Sequence, residues 1–202
     1  MEIDIYGNTI LHQCARDLNF NKIDELLGKE VGMDPNIQNK NGWTFLHILA
    51  NLKLSEDDYK NILHLFNKCK NIKLDTKEYI ENMTPLHFAC KYGNGYMIII
   101  LIEEILNRKL FNILNDQDIS GRTPLNILIS YYYDDNILNN KKIKYGYPTI
   151  NYDLLDLFLE KDEIRKNLKL IIKDYNGKSI IDIINNYNEK KLKDIFMKNY
   201  LI

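Results

Sequence analysis

The chain has 202 residues, of which 45% are apolar and 27% charged, and its formal net charge is −1. This composition suits one packed domain or a short repeat array, and the balanced charge does not favour nucleic-acid binding through a basic face. The longest apolar run, MIIILI at 97–102, is far shorter than the roughly 20 residues that cross a membrane. We therefore expect neither a nucleic-acid nor a membrane partner. No signal peptide is apparent, and three cysteines without CxxC spacing favour a reducing compartment, the cytoplasm or nucleus.

A short motif recurs along the chain. It has a turn residue, usually Gly, then Thr or Ser two positions later, then an apolar run. The copies are GNTILHQCA from Gly7, GWTFLHILA from Gly42, NMTPLHFAC from Asn82, GRTPLNILI from Gly121 and GKSIIDIIN from Gly177. The starts of successive copies are 35, 40, 39 and 56 residues apart. Recurrence at such intervals is typical of a repeat array.

A second apolar segment with helical spacing follows each copy of the motif. In the first copy, Phe20, Ile23, Leu26 and Leu27 share one helical face. Each copy is therefore predicted to be a turn, a short helix, a tight connection and a longer helix. The predicted units span about 4–33, 34–75, 79–114, 118–170 and 174–200, within one domain over residues 1–202. A polar insertion at 133–150 interrupts the fourth unit.

The segments DIYGNTILHQCA, NKNGWTFLHILA, ENMTPLHFAC and DISGRTPLNILI resemble the ankyrin repeat. This resemblance implies an all-α solenoid of about five helix-turn-helix units, with β-turn fingers beside the first helices. Three positions depart from the family pattern. Asn82 replaces the turn glycine, and Asn126 and Asp182 replace the motif histidine.

The Thr-x-x-His spacing has a structural interpretation. A Thr before a helix caps its first turn, and the resemblance implies that each histidine ties the turn to the helix. The structural motif residues are Thr9, His12, Thr44, His47, Thr84, His87 and Thr123. The histidines are too far apart in sequence to suggest a metal site. Cys14 and Cys90 fit small-residue packing positions. We expect no catalytic residue, no metal and no cofactor.

The resemblance implies that the fingers and the concave face bind a partner. Residues flanking the turn glycine are expected to face outward, and residues on the first helices extend the surface. The predicted partner-binding residues are Tyr6, Asn8, Asn41, Trp43, Glu81, Met83, Phe88, Lys91, Tyr92, Ser120, Arg122 and Lys178. Trp43, the one tryptophan, either anchors a partner or packs on a neighbouring turn. Replacing Trp43 and Arg122 by alanine is predicted to abolish partner capture without unfolding.

These features predict a non-enzymatic module that binds another protein and is a monomer or weak dimer. The irregular repeats and long insertions resemble ankyrin proteins of large DNA viruses and intracellular parasites. That resemblance implies action on host signalling, in the manner of inhibitor-of-NF-kappa-B proteins, inside a host cell. The alternative is an adaptor or enzyme-associated scaffold whose 133–150 insertion carries the binding or active site.

Overall fold

The computed structural model describes residues 3–129, 155–156, 158–159, 161–186 and 190–200, and within these ranges every regular element is a helix. The helical character predicted from the sequence is confirmed. None of the helices in these ranges is long and apolar enough to span a bilayer. The predicted insertion at 133–150 lies outside the described residues.

The first three units each contain a short helix followed by a second helix. These helices are α1 (Ile10–Arg16), α2 (Phe20–Leu27), α3 (Phe45–Ala50), α4 (Glu56–Lys68), α5 (Pro85–Lys91) and α6 (Gly95–Arg108). Further along the chain lie a 3-10 helix at Phe111–Asn115, a helical stretch at 124–129, and helices at Asp162–Asn167, Ile180–Asn186 and Lys190–Tyr200.

The short helices begin where the Thr residues predict. Thr9, Thr44 and Thr84 are the N-cap residues of α1, α3 and α5, each with an extended backbone. In each case, the side chain three residues later, a histidine, accepts from the backbone N–H of the N-cap residue. In α5, the His87 N–H also donates to the Thr84 hydroxyl, at 3.4 Å. These bonds satisfy N–H groups that have no partner within the helix.

Helices of six or seven residues are not stable alone in water, so packing between units must stabilise them. The helix α1 packs on α3, and α3 packs on α5, which forms an inner row. The helix α2 packs on α4, and α4 packs on α6, which forms an outer row. Every residue of α3 is buried because this helix has a neighbour on both sides. Residues such as Phe45, Ile62 and Phe66 fill the core between the rows.

Candidate functional site

The turns that precede the short helices form a row of five fingers, which we define as residues 4–9, 39–44, 78–84, 118–123 and 174–179. The first side chain of each finger accepts backbone N–H groups from within the turn. In the first finger, Asp4 Oδ1 accepts from Tyr6 and Asn8, each at 2.8 Å. Asn39, Glu78, Asp118 and Asp174 do the same in the later fingers. These bonds fix each finger's shape internally.

Backbone hydrogen bonds also join each finger to the next. In every case, the second residue of a finger donates its N–H to the carbonyl of the third or fourth residue of the preceding finger. The bonds run from Lys40 to Tyr6 at 3.0 Å, Tyr79 to Asn41 at 2.9 Å, Ile119 to Glu81 at 2.8 Å and Tyr175 to Ser120 at 3.0 Å. The fingers therefore stand in one register.

Three turn glycines leave room for the finger that follows. A Cβ placed on Gly42 would lie 2.7 Å from the backbone nitrogen of Tyr79 and 2.8 Å from its ring. Gly7 and Gly121 have the same relation to the next finger's second residue, Lys40 and Tyr175. The φ of Gly42 is +81°, which also favours glycine. Asn82, with φ 58°, occupies this position in the third finger.

The three motif histidines are a second link between fingers. Nδ1 of each ring accepts from the N–H of its own Thr, at 3.1–3.2 Å. Nε2 therefore carries the proton and donates to a carbonyl of the next finger. These acceptors are Trp43 for His12 at 2.8 Å, Met83 for His47 at 3.2 Å and Arg122 for His87 at 3.2 Å. His87 Nε2 also lies 3.1 Å from the Asp116 carbonyl, just before the fourth finger. The sequence predicts the bond to Thr but not this bond between units.

The fourth unit lacks this link. Asn126 Oδ1 accepts from the N–H of Thr123 at 3.3 Å, so the cap is kept. Its buried Nδ2 has no hydrogen-bond partner among the described residues. The shorter side chain does not reach the fifth finger. Gln117 connects these two units by donating to Gly121 at 2.6 Å and Lys173 at 3.1 Å, as Gln38 connects the second and third units.

The buried histidines and cysteines are set up for packing rather than reactivity. Desolvation lowers the pKa of His47 and of His87 to about 4, so both rings are neutral at pH 7. Burial raises the pKa of the Cys90 thiol, which opposes formation of the nucleophilic thiolate. Among the described residues, no three His, Cys, Asp or Glu side chains are arranged to hold a metal ion.

Three residues predicted to bind a partner are buried, so the expectation that they lie on the surface is wrong. Asn8 is 2% exposed, Met83 0% and Phe88 3%. In the first and third fingers, the residue after the positive-φ position points into the stack rather than away from it, whereas Lys178 of the fifth finger is exposed. Asn8 accepts there from Asn39 Nδ2 at 2.7 Å, and Met83 joins the core. Phe88 lies on the short helix α5, enclosed by neighbouring aromatic rings.

The structure also changes the roles of Trp43 and Arg122. Trp43 is half-buried, with its ring edge against Phe88 at a centroid distance of 5.1 Å. The predicted packing was on a neighbouring turn, whereas Trp43 packs on the helix α5 of the next unit. Its predicted contact with a partner stays a prediction. Arg122 donates from two nitrogens to the buried Asp118 carboxylate, at 2.8 and 2.9 Å. Replacing both residues would therefore disturb the fingers and could not separate binding from stability.

The remaining predicted residues differ in exposure. Tyr6, Asn41 and Lys178 are exposed, and Glu81, Lys91, Tyr92 and Ser120 are half-buried. Lys91 forms an ion pair with Glu81. The ring of Tyr92 packs against the ring of Phe88, with 5.8 Å between their centroids.

The most exposed apolar side chains of the row lie between the first residue and the glycine position of the fingers. We call them the apolar tip residues; they are Ile5, Tyr6, Tyr79, Ile80, Ile119 and Tyr175, and each is more than half exposed. Except for Tyr6, they are missing from the sequence-based prediction. The sequence contains a pattern that could have predicted them, because apolar residues stand in turns where polar residues are usual. The segments are DIYG, EYIEN, DISG and DYNG.

Comparison with known proteins gives one family match. No curated protein matches the sequence. Residues 81–116 match the family model of the ankyrin repeat, and this segment covers the end of the third finger, α5, α6 and the 3-10 helix. The match agrees with the stacked helix pairs and the linked fingers, and it supports the ankyrin-repeat family for this chain.

Proposed function

We propose that the chain is a five-unit ankyrin solenoid that binds another protein through its apolar tip residues and catalyses no reaction. The exposed apolar side chains on four of the five fingers are the observation that carries this proposal. Exposed apolar groups that recur on one surface are typical of protein-binding surfaces. Ankyrin repeats generally mediate protein–protein interaction, which favours the same function.

The energetics of the tips suit binding. Burial of one exposed Ile or Tyr side chain contributes about 1.5–3 kcal/mol, and tyrosine is a frequent interface hot spot. The bonds between fingers hold the tip backbone in place before a partner arrives. A preformed surface loses less conformational entropy on binding than a flexible loop does.

We further propose that the partner is a host signalling protein, bound inside a host cell in the manner of inhibitor-of-NF-kappa-B proteins. The irregular repeat lengths and the sequence resemblance to pathogen ankyrin proteins support this narrower proposal. It predicts that host signalling proteins are recovered with the chain from host-cell extracts.

The proposal is tested by shortening two central tip residues. The double variant Ile80→Ser/Ile119→Ser should reduce partner capture by at least about tenfold, because each lost contact removes about 1.5 kcal/mol or more. Both side chains are about 60% exposed, so the fold should be unaffected. The measurement is affinity capture from cell extract, with quantitative mass spectrometry of the recovered proteins.

A matched control variant shortens exposed apolar side chains that are not tip residues. Val31→Ser/Ile171→Ser also shortens two exposed apolar side chains, 50% and 73% exposed, that lie outside the fingers. This variant should capture partners as well as the unmodified chain. Equal capture by both double variants would contradict binding through the tips.

A further inference from the structure

The two ends of the finger row have complementary unused hydrogen-bonding groups. In fingers two to five, the N–H of the second residue donates to the preceding finger. Ile5 holds this position in the first finger, and its N–H has no partner among the described residues. The carbonyl of Asn176 holds the accepting position in the fifth finger, and it is equally unpartnered within the described ranges.

The ends also match in shape. Tyr79 and Tyr175 each lie over the glycine of the preceding finger. Gly177 has the same positive φ, +76°, but no atom lies within 4 Å of the point where a Cβ would be. Ile5 is the equivalent of Tyr79 and Tyr175, and it is 77% exposed. One end therefore presents the side chain, and the other presents the open glycine.

The first unit exposes part of the surface that the later units bury. Ile10 of α1 is 39% exposed, whereas Phe45, at the same position of α3, is 1% exposed. At the other end, Met197 of the last helix is 54% exposed. Terminal units of repeat proteins ordinarily have polar outer faces, because their stacking surfaces have no neighbour.

The ends carry opposite charge. Residues 1–34 include seven acidic and three basic residues, and residues 161–200 include ten basic and six acidic residues. An acidic end and a basic end attract each other, whereas two like ends repel. This asymmetry favours head-to-tail contact over a symmetric contact between like ends.

We infer that the N-terminal end of one copy docks on the C-terminal end of a second copy and continues the finger row. Ile5 of one copy lies over Gly177 of the other, and its N–H donates to the Asn176 carbonyl. Such a contact joins two different surfaces, so it extends into short chains of copies rather than closing as a twofold dimer.

Sedimentation velocity over a concentration series tests this inference. The 202-residue chain should associate reversibly, and the association should weaken at high ionic strength because the end charges become screened. Ile5→Lys places a positive charge against the basic end. Lys173→Glu/Lys178→Glu, at two exposed lysines, places acids against the acidic end. Each variant should weaken association at least about tenfold.

Mixing the two variants distinguishes head-to-tail docking from other contacts. Ile5→Lys keeps an intact C-terminal end and Lys173→Glu/Lys178→Glu an intact N-terminal end, so the mixture should form a 1:1 dimer that grows no further. Ile119→Lys is the control, because Ile119 is a tip residue inside the row, 59% exposed, and should associate normally. Circular dichroism should show the same helicity for all variants.

A chain that stays monomeric throughout the concentration series would overturn the inference. Failure of the mixture to recover association would also overturn it, since the intact C-terminal end of one variant should dock on the intact N-terminal end of the other. Equal weakening by Ile119→Lys would assign self-association to the tips instead of the ends. Partner capture by Ile80→Ser/Ile119→Ser is a separate readout, so either proposal can fail alone.

Discussion

Gly42→Ala is expected to destabilise the chain by about 3 kcal/mol, against about 1 kcal/mol for Gly177→Ala. Both glycines have a positive φ, +81° and +76°, so alanine is strained at either position. Only at Gly42 would the new methyl group collide with the next finger, at 2.7 Å from the Tyr79 nitrogen. That contact is with backbone, so it cannot be relieved by rotating a side chain.

Urea denaturation followed by circular dichroism measures both changes. The difference between the two variants isolates the collision from the backbone strain, because the strain is common to both. If Gly42→Ala and Gly177→Ala lose the same stability, the close stacking of the second and third fingers is incorrect.

Acid should destabilise the chain between pH 6.5 and pH 4 through its buried histidines. Burial lowers the pKa of His47 and His87 from 6.5 to about 4. Between these values, the unfolded chain binds protons that the folded chain does not, so the free energy of unfolding falls as the pH falls. The expected loss is about 3 kcal/mol for each histidine, and below pH 4 this contribution no longer changes.

The geometry explains why protonation opposes the fold. Nδ1 of His47 accepts from the Thr44 N–H at 3.1 Å, and a proton on that nitrogen would face another donor. The control is His47→Asn/His87→Asn, since Asn126 shows that asparagine can accept from the same Thr N–H. The control variant should be less stable at pH 7 but lose much less between pH 6.5 and pH 4. Unchanged pH dependence in this variant would assign the effect to other groups.

The local structure was predictable because it depends on residues close in sequence. Thr84 and His87 are three positions apart, and their spacing alone predicts a capped helix start. Repetition of the motif predicts that the units stack. The bond from His87 Nε2 to the Arg122 carbonyl was not predictable in this way, because its partner lies in another unit and its position depends on how the units stack.

The direction of the finger residues was the main error. The prediction placed the outward residues on both sides of the glycine, yet Met83 is buried and Ile80 is exposed. In the first and third fingers, the chain reverses at the residue with positive φ, and the residue after it already points into the stack. The third finger is also one residue longer than the others, and the additional residue is Ile80. Alignment of the motif on Thr84 does not show which residue is the additional one.

Amide hydrogen exchange of the fingers tests the central claim, that five turns form one hydrogen-bonded row. At a concentration where the chain is monomeric, the amides of Lys40, Tyr79 and Ile119 should be protected, and that of Ile5 should exchange quickly. The amide of Tyr175 should be protected less, since Asn126 does not link the last two fingers. If all of these amides exchange as fast as that of Ile5, the fingers are independent turns and the preformed binding row does not exist.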